Sequence, residues 1–313
     1  MASRLIVLSG PTAPGKTALG VLLAETLGGE IISADSMQIY RRMDIGTAKP
    51  TAEETRGIAH HMIDVAEPEE DYSVARYVEE AAACAEDILS RGKRPILVGG
   101  TGLYIDSLLS GRTFAGGPAD PALRTELSER YDEIGAAGLL GELRKVDPER
   151  AAKLHPADKK RIVRALEVYI LTGKTITQHD AETQAIPPRY DAVRIALDYL
   201  DRADLYARID RRVDEMLARW LVEEVRALLN AGVPRTCTAM QAIGYKEIVR
   251  ALDGGCSIEE AAEDIRRESR RYAKRQLTWL RRGDYHWIRF QKTPDLDAAR
   301  RDSTEFLAAH GVE

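Results

Sequence analysis

The chain is poor in the residues that mark several common functions. Its 313 residues hold three cysteines, Cys84, Cys237 and Cys256. Their odd number, wide spacing and lack of a CxxC or histidine partner exclude a disulfide framework and a zinc ribbon, so they read as reduced and structural. His60 and His61 are adjacent rather than spaced like zinc ligands, and read as packing or hydrogen-bonding residues. Long apolar runs are missing too. Leu5-Ile6-Val7-Leu8 is far too short to span a bilayer, and it leads into a glycine-rich loop rather than a signal cleavage site. A cytoplasmic address with no membrane contact is expected. No excess of positive charge is present either, since 45 Lys and Arg stand against 50 Asp and Glu for a net charge of -5. Taken globally, that balance argues against a nucleic-acid partner. No internal repeat or low-complexity tract interrupts the chain.

What is present is patterned. The text RRESRRYAKRQLTWLRR from Arg266 to Arg282 carries eight Lys or Arg against the single acid Glu268, while acids gather elsewhere, as at Glu67, Glu69, Glu70 and Asp71. One face of an acidic protein is therefore expected to be basic, although a solvated helix face gives the same pattern.

Alternation of elements predicts an α/β fold, a mostly parallel sheet covered by helices. Strands are expected at 4–9, 30–33, 95–98 and 192–197, and helices at 16–27 and 73–91. From 116 to 190 the text is helical, with no convincing strand until Ala192. The expected division is a core of 1–115 and 191–313 and a helical insertion of 116–190. Long amphipathic segments at 202–231 and 258–282 complete the helical complement.

The strongest motif is Gly10-Pro11-Thr12-Ala13-Pro14-Gly15-Lys16-Thr17, a full G-x-x-x-x-G-K-T between an expected strand and an expected helix. Its amides can form an anion nest at a helix N-terminus, Lys16 can neutralise phosphate oxygens, and the Thr17 hydroxyl can ligate Mg²⁺. With this loop, the expected fold is a P-loop NTPase-like parallel sheet flanked by helices, with a helical insertion domain. Such a loop recognises a chain of phosphates, and a diphosphate ester fits it as well as ATP does. Asp35 follows the second strand, where strand ends converge on a ligand crevice. It is suited to be a general base, or equally to cap the next turn with Ser36. Gly99-Gly100-Thr101-Gly102 after the third strand is a tight turn or a polar donor at the same crevice.

The segments GPTAPGKT, ISADSMQIY, DIGTAKP, HHMIDV and ILVGGTGLYIDSLL follow one another in the order and spacing of bacterial tRNA dimethylallyltransferases, also called isopentenyltransferases. ADKKRIVRALEVYILTGKT is similar to that family's tRNA-binding insertion, and QAIGYKE and AKRQLTWLRR are similar to its C-terminal signatures. The resemblance covers about residues 3 to 290.

It implies transfer of a dimethylallyl group from dimethylallyl diphosphate to the exocyclic amine of an adenosine beside the anticodon, with Mg²⁺ as cofactor and no obligate protein partner. Gly10 to Thr17 would hold the diphosphate, Asp35 would be the base, and Thr101 would contact donor phosphate or substrate. Arg212, with Arg208 and Arg211 as neighbours, would help to bind the diphosphate. Asp35, Ser36, Met37, Gln38, Thr101, Arg124, Lys159, Lys160, Arg161, Ile162, Val163, Met240, Gln241, Ala242, Ile243, Gly244 and Tyr245 fall where relatives touch the tRNA anticodon stem-loop. Two departures stand out: Pro14, which has no amide donor, replaces a small polar residue of many relatives, and Trp220 stands where glycine is frequent. The rival readings are a nucleoside or small-molecule kinase using ATP, a prenyltransferase acting on free adenine nucleotides, and a non-catalytic RNA-binding module.

Overall fold

The computed structural model describes residues 4–111 and 120–312. The described residues fall into two compact units, one of Met1–Leu109 with Arg189–Glu313 and one of Ser110–Pro188. The expected insertion start at residue 116 lies outside the described residues.

The first unit opens with β1 (Arg4–Ser9), α1 (Lys16–Leu27), β2 (Gly29–Ala34), the short α2 (Ala52–Thr55), β3 (His60–His61), α3 (Val74–Ser90), β4 (Arg94–Gly99) and α4 (Gly102–Ser110). β1, β2 and β4 are buried along almost their whole length. That is why they read as continuous apolar runs and not as alternating ones. The strands form one six-stranded sheet in the order β3-β2-β4-β1-β5-β6, with every pairing parallel.

The second unit contains α5 (Pro121–Val146), α6 (Pro148–Ala152), α7 (Lys159–Thr172) and α8 (Ile176–Gln184). Gly135 breaks α5 with φ 79°, a conformation open to glycine. Leu127, Leu139, Leu143, Ile162 and Leu166 make its core. The apolar face of α7 supplies Ile162, Val163, Leu166 and Val168, so Lys160 and Arg161 fall on the exposed face. Glu167, with no exposed surface, is held by Arg124 at 3.0 Å, by Arg164 at 2.9 Å and by the Asp120 amide at 3.1 Å. Three donors satisfy a carboxylate that would otherwise be costly to bury.

The first unit resumes with β5 (Asp191–Tyr199), α9 (Arg202–Ala218), α10 (Leu221–Asn230), a 3₁₀ turn at Ala239–Gln241, α11 (Tyr245–Leu252), α12 (Ile258–Leu280), β6 (His286–Phe290) and α13 (Leu296–Ala309). A reciprocal cap starts α12: Ser257 Oγ accepts from the Glu260 amide at 3.1 Å, and the Glu260 carboxylate accepts from the Ser257 amide at 2.8 Å. The sequence pattern predicts one helical segment over 202–231, and the structure corrects this to two helices. The break is Trp220, which sits in the left-handed region at φ 75° and 68% exposed. Glycine adopts this conformation without the strain that a tryptophan carries. β3, with two residues, and β6 fall below what an apolar pattern reveals.

Trp220 makes little packing that could offset its backbone strain. Trp220→Gly is therefore expected to stabilise the fold by about 1 kcal/mol. A lowered midpoint in urea unfolding would contradict that reading of the turn.

Candidate active site

Sheet register brings three loops to one place. Ser9 pairs with Gly99, and Gly99 pairs with Ala34, so β1, β4 and β2 end level with one another. Each end carries a motif: the phosphate loop after β1, Asp35 after β2 and Gly100-Thr101 after β4. A Cβ on Gly99 would lie 2.2 Å from the Ala34 carbonyl oxygen, so only glycine permits this approach. Ser9 Oγ donates to the Gly99 carbonyl at 2.8 Å and the Thr101 amide donates to the Ala34 carbonyl at 3.0 Å.

The phosphate loop turns through positive φ at Gly10, Ala13 and Gly15, and α1 begins directly after it. Among its eight residues, Pro11 and Pro14 have no amide hydrogen, and the Thr12 amide is taken by the Gln276 side chain at 2.8 Å. That leaves the amides of Gly10, Ala13, Gly15, Lys16 and Thr17, the last three at the N-terminus of α1. Arg208 Nε donates to the Ala13 carbonyl at 3.0 Å and Arg212 donates to Thr12 Oγ1 at 3.2 Å. Both line the crevice with the loop, whereas Arg211 is exposed and does not.

Asp35 serves its own turn and still faces the crevice. Oδ1 accepts from the amides of Met37 at 2.9 Å and Gln38 at 3.4 Å, and no hydrogen bond from the described residues reaches Oδ2. The capping duty thus falls on one oxygen and leaves the other open. Thr101 Oγ1 accepts from the Ser36 amide at 3.0 Å, and its side chain also bonds Tyr272, so Thr101 braces the Asp35 loop beside the crevice. Gln276 Nε2 donates to the Gly100 carbonyl at 3.0 Å, which ties the phosphate loop and the Gly100 loop to α12.

Two chambers meet at this point. The first is lined by the phosphate loop, Arg208, Arg212, Gln38 and His60. The second is lined by Ser36, Met37, Gly46, Thr47, Gln241, Ala242, Ile243, Lys246, Ser269 and Arg275. Thr12, Asp35, Arg212, Met216 and Tyr272 border both. Behind the second chamber, Glu224 accepts from the amides of Asp44, Ile45 and Gly46 at 2.8, 2.8 and 3.1 Å and from the Tyr245 hydroxyl at 2.6 Å. Lys49 joins Asp44 at 2.7 Å and the Tyr40 carbonyl at 2.7 Å. The DIGTAKP motif is a wall braced from inside.

Burial sorts the expected RNA-facing residues. Ile162, Val163, Met240 and Tyr245 are at most 4% exposed and pack in hydrophobic cores. Their side chains are spent on packing, so at these four positions the main chain is what remains to face RNA. Gly244 is buried and turns the chain at φ 101°. Gln38 spans Ser33 and the carbonyls of Thr47 and Ala48. Lys159 is bonded to Asp132 at 2.7 Å, while Lys160 and Arg161 are exposed. Of the two histidines, His61 bonds Glu30 at 2.8 Å and His60 lines the first chamber. Glu224 and Met216 carry no local signature, and Tyr272, Arg275 and Gln276 lie within the basic segment 266–282 without any sign there of their place at the crevice.

Charge at the loop is unbalanced in favour of an anion. Burial pushes the Lys16 ammonium down to about 7, with Arg212 adding to the depression and Asp35 opposing it. A bound diphosphate restores the charged form, so above about pH 7 and below the ordinary lysine value of 10.5 binding draws in a proton. Titration calorimetry of a diphosphate ester at about pH 8.5, in buffers of different ionisation enthalpy, is expected to show greater proton uptake by the wild type than by Lys16→Arg. Equal uptake would remove Lys16 from that role.

No group of three or more His, Cys, Asp or Glu able to hold a metal alone occurs among the described residues. Thr17, on the chamber wall, is the oxygen ligand that the loop itself offers. Mg²⁺ commonly binds in this way, through one or two protein oxygens with substrate phosphates completing its shell.

The comparisons with known proteins agree with this geometry. The IPP transferase family matches residues 38–283 and the isopentenyl transferase family matches residues 3–70. A tRNA dimethylallyltransferase of Pelotomaculum thermopropionicum is 48% identical over 95% of this chain and 94% of its own. One from Caldanaerobacter subterraneus is 47% identical over 98% of both chains. The crystal structure of a tRNA isopentenylpyrophosphate transferase from Bacillus halodurans superposes with a TM-score of 0.73 at 42% identity, covering 98% of this chain and 96% of that one. A eukaryotic dimethylallyltransferase, captured in crystallographic snapshots of its action on tRNA, gives a TM-score of 0.82 at 31% identity over 98% of this chain and 80% of that one. A phosphate-type loop, a carboxylate at the junction of two chambers and similarity along nearly the whole length lead to one conclusion: the chain belongs to the tRNA dimethylallyltransferase family.

Proposed function

We propose that this chain transfers the dimethylallyl group from dimethylallyl diphosphate to the exocyclic amine of the adenosine 3′-adjacent to the anticodon in tRNA, releasing diphosphate. The observation that carries the reading is the shared border of the two chambers, where the Asp35 carboxylate stands between an anion-binding loop and a second opening. The donor's diphosphate occupies the first chamber against the helix-terminal amides, Lys16, Arg208 and Arg212. The adenine enters the second past Ser36, Met37, Gln241 and Ile243.

The lone pair of the adenine amine is delocalised into its ring, so loss of its proton as it attacks makes it an effective nucleophile. Asp35 Oδ2 takes that proton while nitrogen bonds to the allylic carbon and the carbon–oxygen bond to diphosphate breaks. Lys16, Arg208 and Arg212 meet the charge that grows on the leaving group. Mg²⁺, held by Thr17 and diphosphate oxygens, would add further charge neutralisation there. Thr101 sets the position of the Asp35 loop through Ser36.

Reaching an adenosine stacked in an anticodon loop requires its extrusion. Residues 116–190 are assigned to gripping the stem-loop. Arg124, Lys159, Lys160 and Arg161 supply cations for its backbone, with Lys160 and Arg161 the most available. On α12, Arg266, Arg267, Arg270 and Arg271 are paired with carboxylates, and the exposed Lys274 and Arg275 offer further cations. No helix among the described residues is long and apolar enough to cross a membrane.

Asp35→Asn is expected to slow single-turnover transfer by about 100-fold or more with donor affinity kept. An unchanged rate would sink Asp35 as the base. The pair Lys160→Glu and Arg161→Glu is expected to weaken tRNA binding and to reduce the slope of log affinity against log salt by about 2, with dimethylallyl diphosphate binding intact. A salt slope equal to that of the wild type would place the stem-loop elsewhere.

A further inference from the structure

The five residues that border both chambers are Thr12, Asp35, Arg212, Met216 and Tyr272. In the reaction proposed above, on which this inference rests, the allylic carbon must cross that border to reach the amine. Thr12 and Arg212, joined at 3.2 Å, belong to the anion side, and Asp35 is the carboxylate. Met216 and Tyr272 are the two that present apolar surface. Met216 lies four residues after Arg212 on α9, hence on the same face one turn along. Tyr272 lies four residues before Gln276 on α12, and Gln276 binds the Thr12 amide and the Gly100 carbonyl. Each apolar side chain is thus carried by a helix that also fixes the phosphate loop, so its place relative to the donor is set by the same contacts that set the diphosphate.

We propose that Met216 and Tyr272 form an apolar sleeve around the five-carbon group, which limits donor chain length and keeps water from the allylic carbon until the adenine amine arrives.

The sleeve matters because the same bond can break unproductively. Water oxygen attacking the allylic carbon as the carbon–oxygen bond to diphosphate breaks yields dimethylallyl alcohol and diphosphate, with one proton lost to solvent. The productive step forms the carbon–nitrogen bond and passes the proton to Asp35. Both release one diphosphate, so diphosphate released per prenyl group incorporated measures the leak. Tyr272 is chemically suited to stand beside a reactive allylic diphosphate: burial, with the Asp35 charge second, pushes its phenol up to about 12, so it stays neutral and does not compete as a nucleophile. Side-chain hydrogen bonds with Thr101 and Gln276 hold the Tyr272 hydroxyl, and Arg275 stands over its ring at 5.5 Å from the centroid. Met216 packs against the buried cluster of α9 to α12, which anchors the other side of the sleeve.

The test compares wild type with Met216→Ala and Tyr272→Ala, and with the volume-conserving Met216→Leu and Tyr272→Phe, using dimethylallyl diphosphate and unmodified tRNA. Wild type is expected to release about one diphosphate per prenyl group, and each alanine variant about five or more, while the leucine and phenylalanine variants stay near the wild-type ratio. The alanine variants are also expected to transfer the ten-carbon group of geranyl diphosphate, which wild type leaves unused. Ratios near one in both alanine variants, however slow they become, overturn the sleeve. So does a Tyr272→Phe variant that leaks as badly as Tyr272→Ala, since the hydroxyl and not the ring would then be at work. A wild type that incorporates no prenyl group refutes the transfer reaction itself and removes the sleeve with it.

Discussion

The level ending of β1, β4 and β2 is the constraint on which the site depends. With Ser9, Gly99 and Ala34 in register, three strand-to-helix connections emerge at one edge, and each delivers a different chemical group. A slip of one residue in a parallel pair would turn every side chain to the opposite face and separate these groups. Gly99 permits the approach, and the hydrogen bonds from Ser9 and Thr101 hold it. Gln276 then binds two of the three loops from outside the sheet, so a helix far along the chain becomes part of the phosphate site.

That arrangement explains why so much polar material in the motifs never touches a ligand. Glu224, Lys49 and Gln38 spend their hydrogen bonds on loops that line the chambers, where a buried polar group must find partners or cost stability. Asp35 divides its two oxygens between such a structural duty and the open crevice. Lys16 shows the opposite case: desolvation and the Arg212 charge depress its ammonium while Asp35 opposes them, and an entering anion favours the charged form. Binding and chemistry in this site are both electrostatic, and both draw on charges that the fold keeps from water.

Local signals made the loop and its flanking elements legible, since a buried strand, a glycine-rich turn and a capped helix each leave a mark within a few residues. Asp35 and Gly99 to Gly102 were legible as strand-end residues for the same reason. The exposed cations of α7 followed from helical periodicity once its apolar face was recognised. The burial of Met240 and Tyr245 needed the fold, because a single sequence does not separate a packing residue from a contact residue. Tyr272, Met216 and Gln276 escaped because their meaning comes from α9 and α12, which lie far along the chain from the phosphate loop and meet it only in the fold. Trp220 was visible as a departure, but its backbone cause needed the φ angle.

The central claim is that an allylic group crosses from the first chamber to an adenine amine in the second. The most direct measurement supplies labelled dimethylallyl diphosphate with three acceptors in parallel, namely an unmodified anticodon stem-loop, the same stem-loop with guanosine in place of the target adenosine, and free AMP, followed by nucleoside analysis of the products. The account predicts label on the exocyclic amine of adenosine in the first stem-loop alone. Label in AMP, or equal label in both stem-loops, would contradict it.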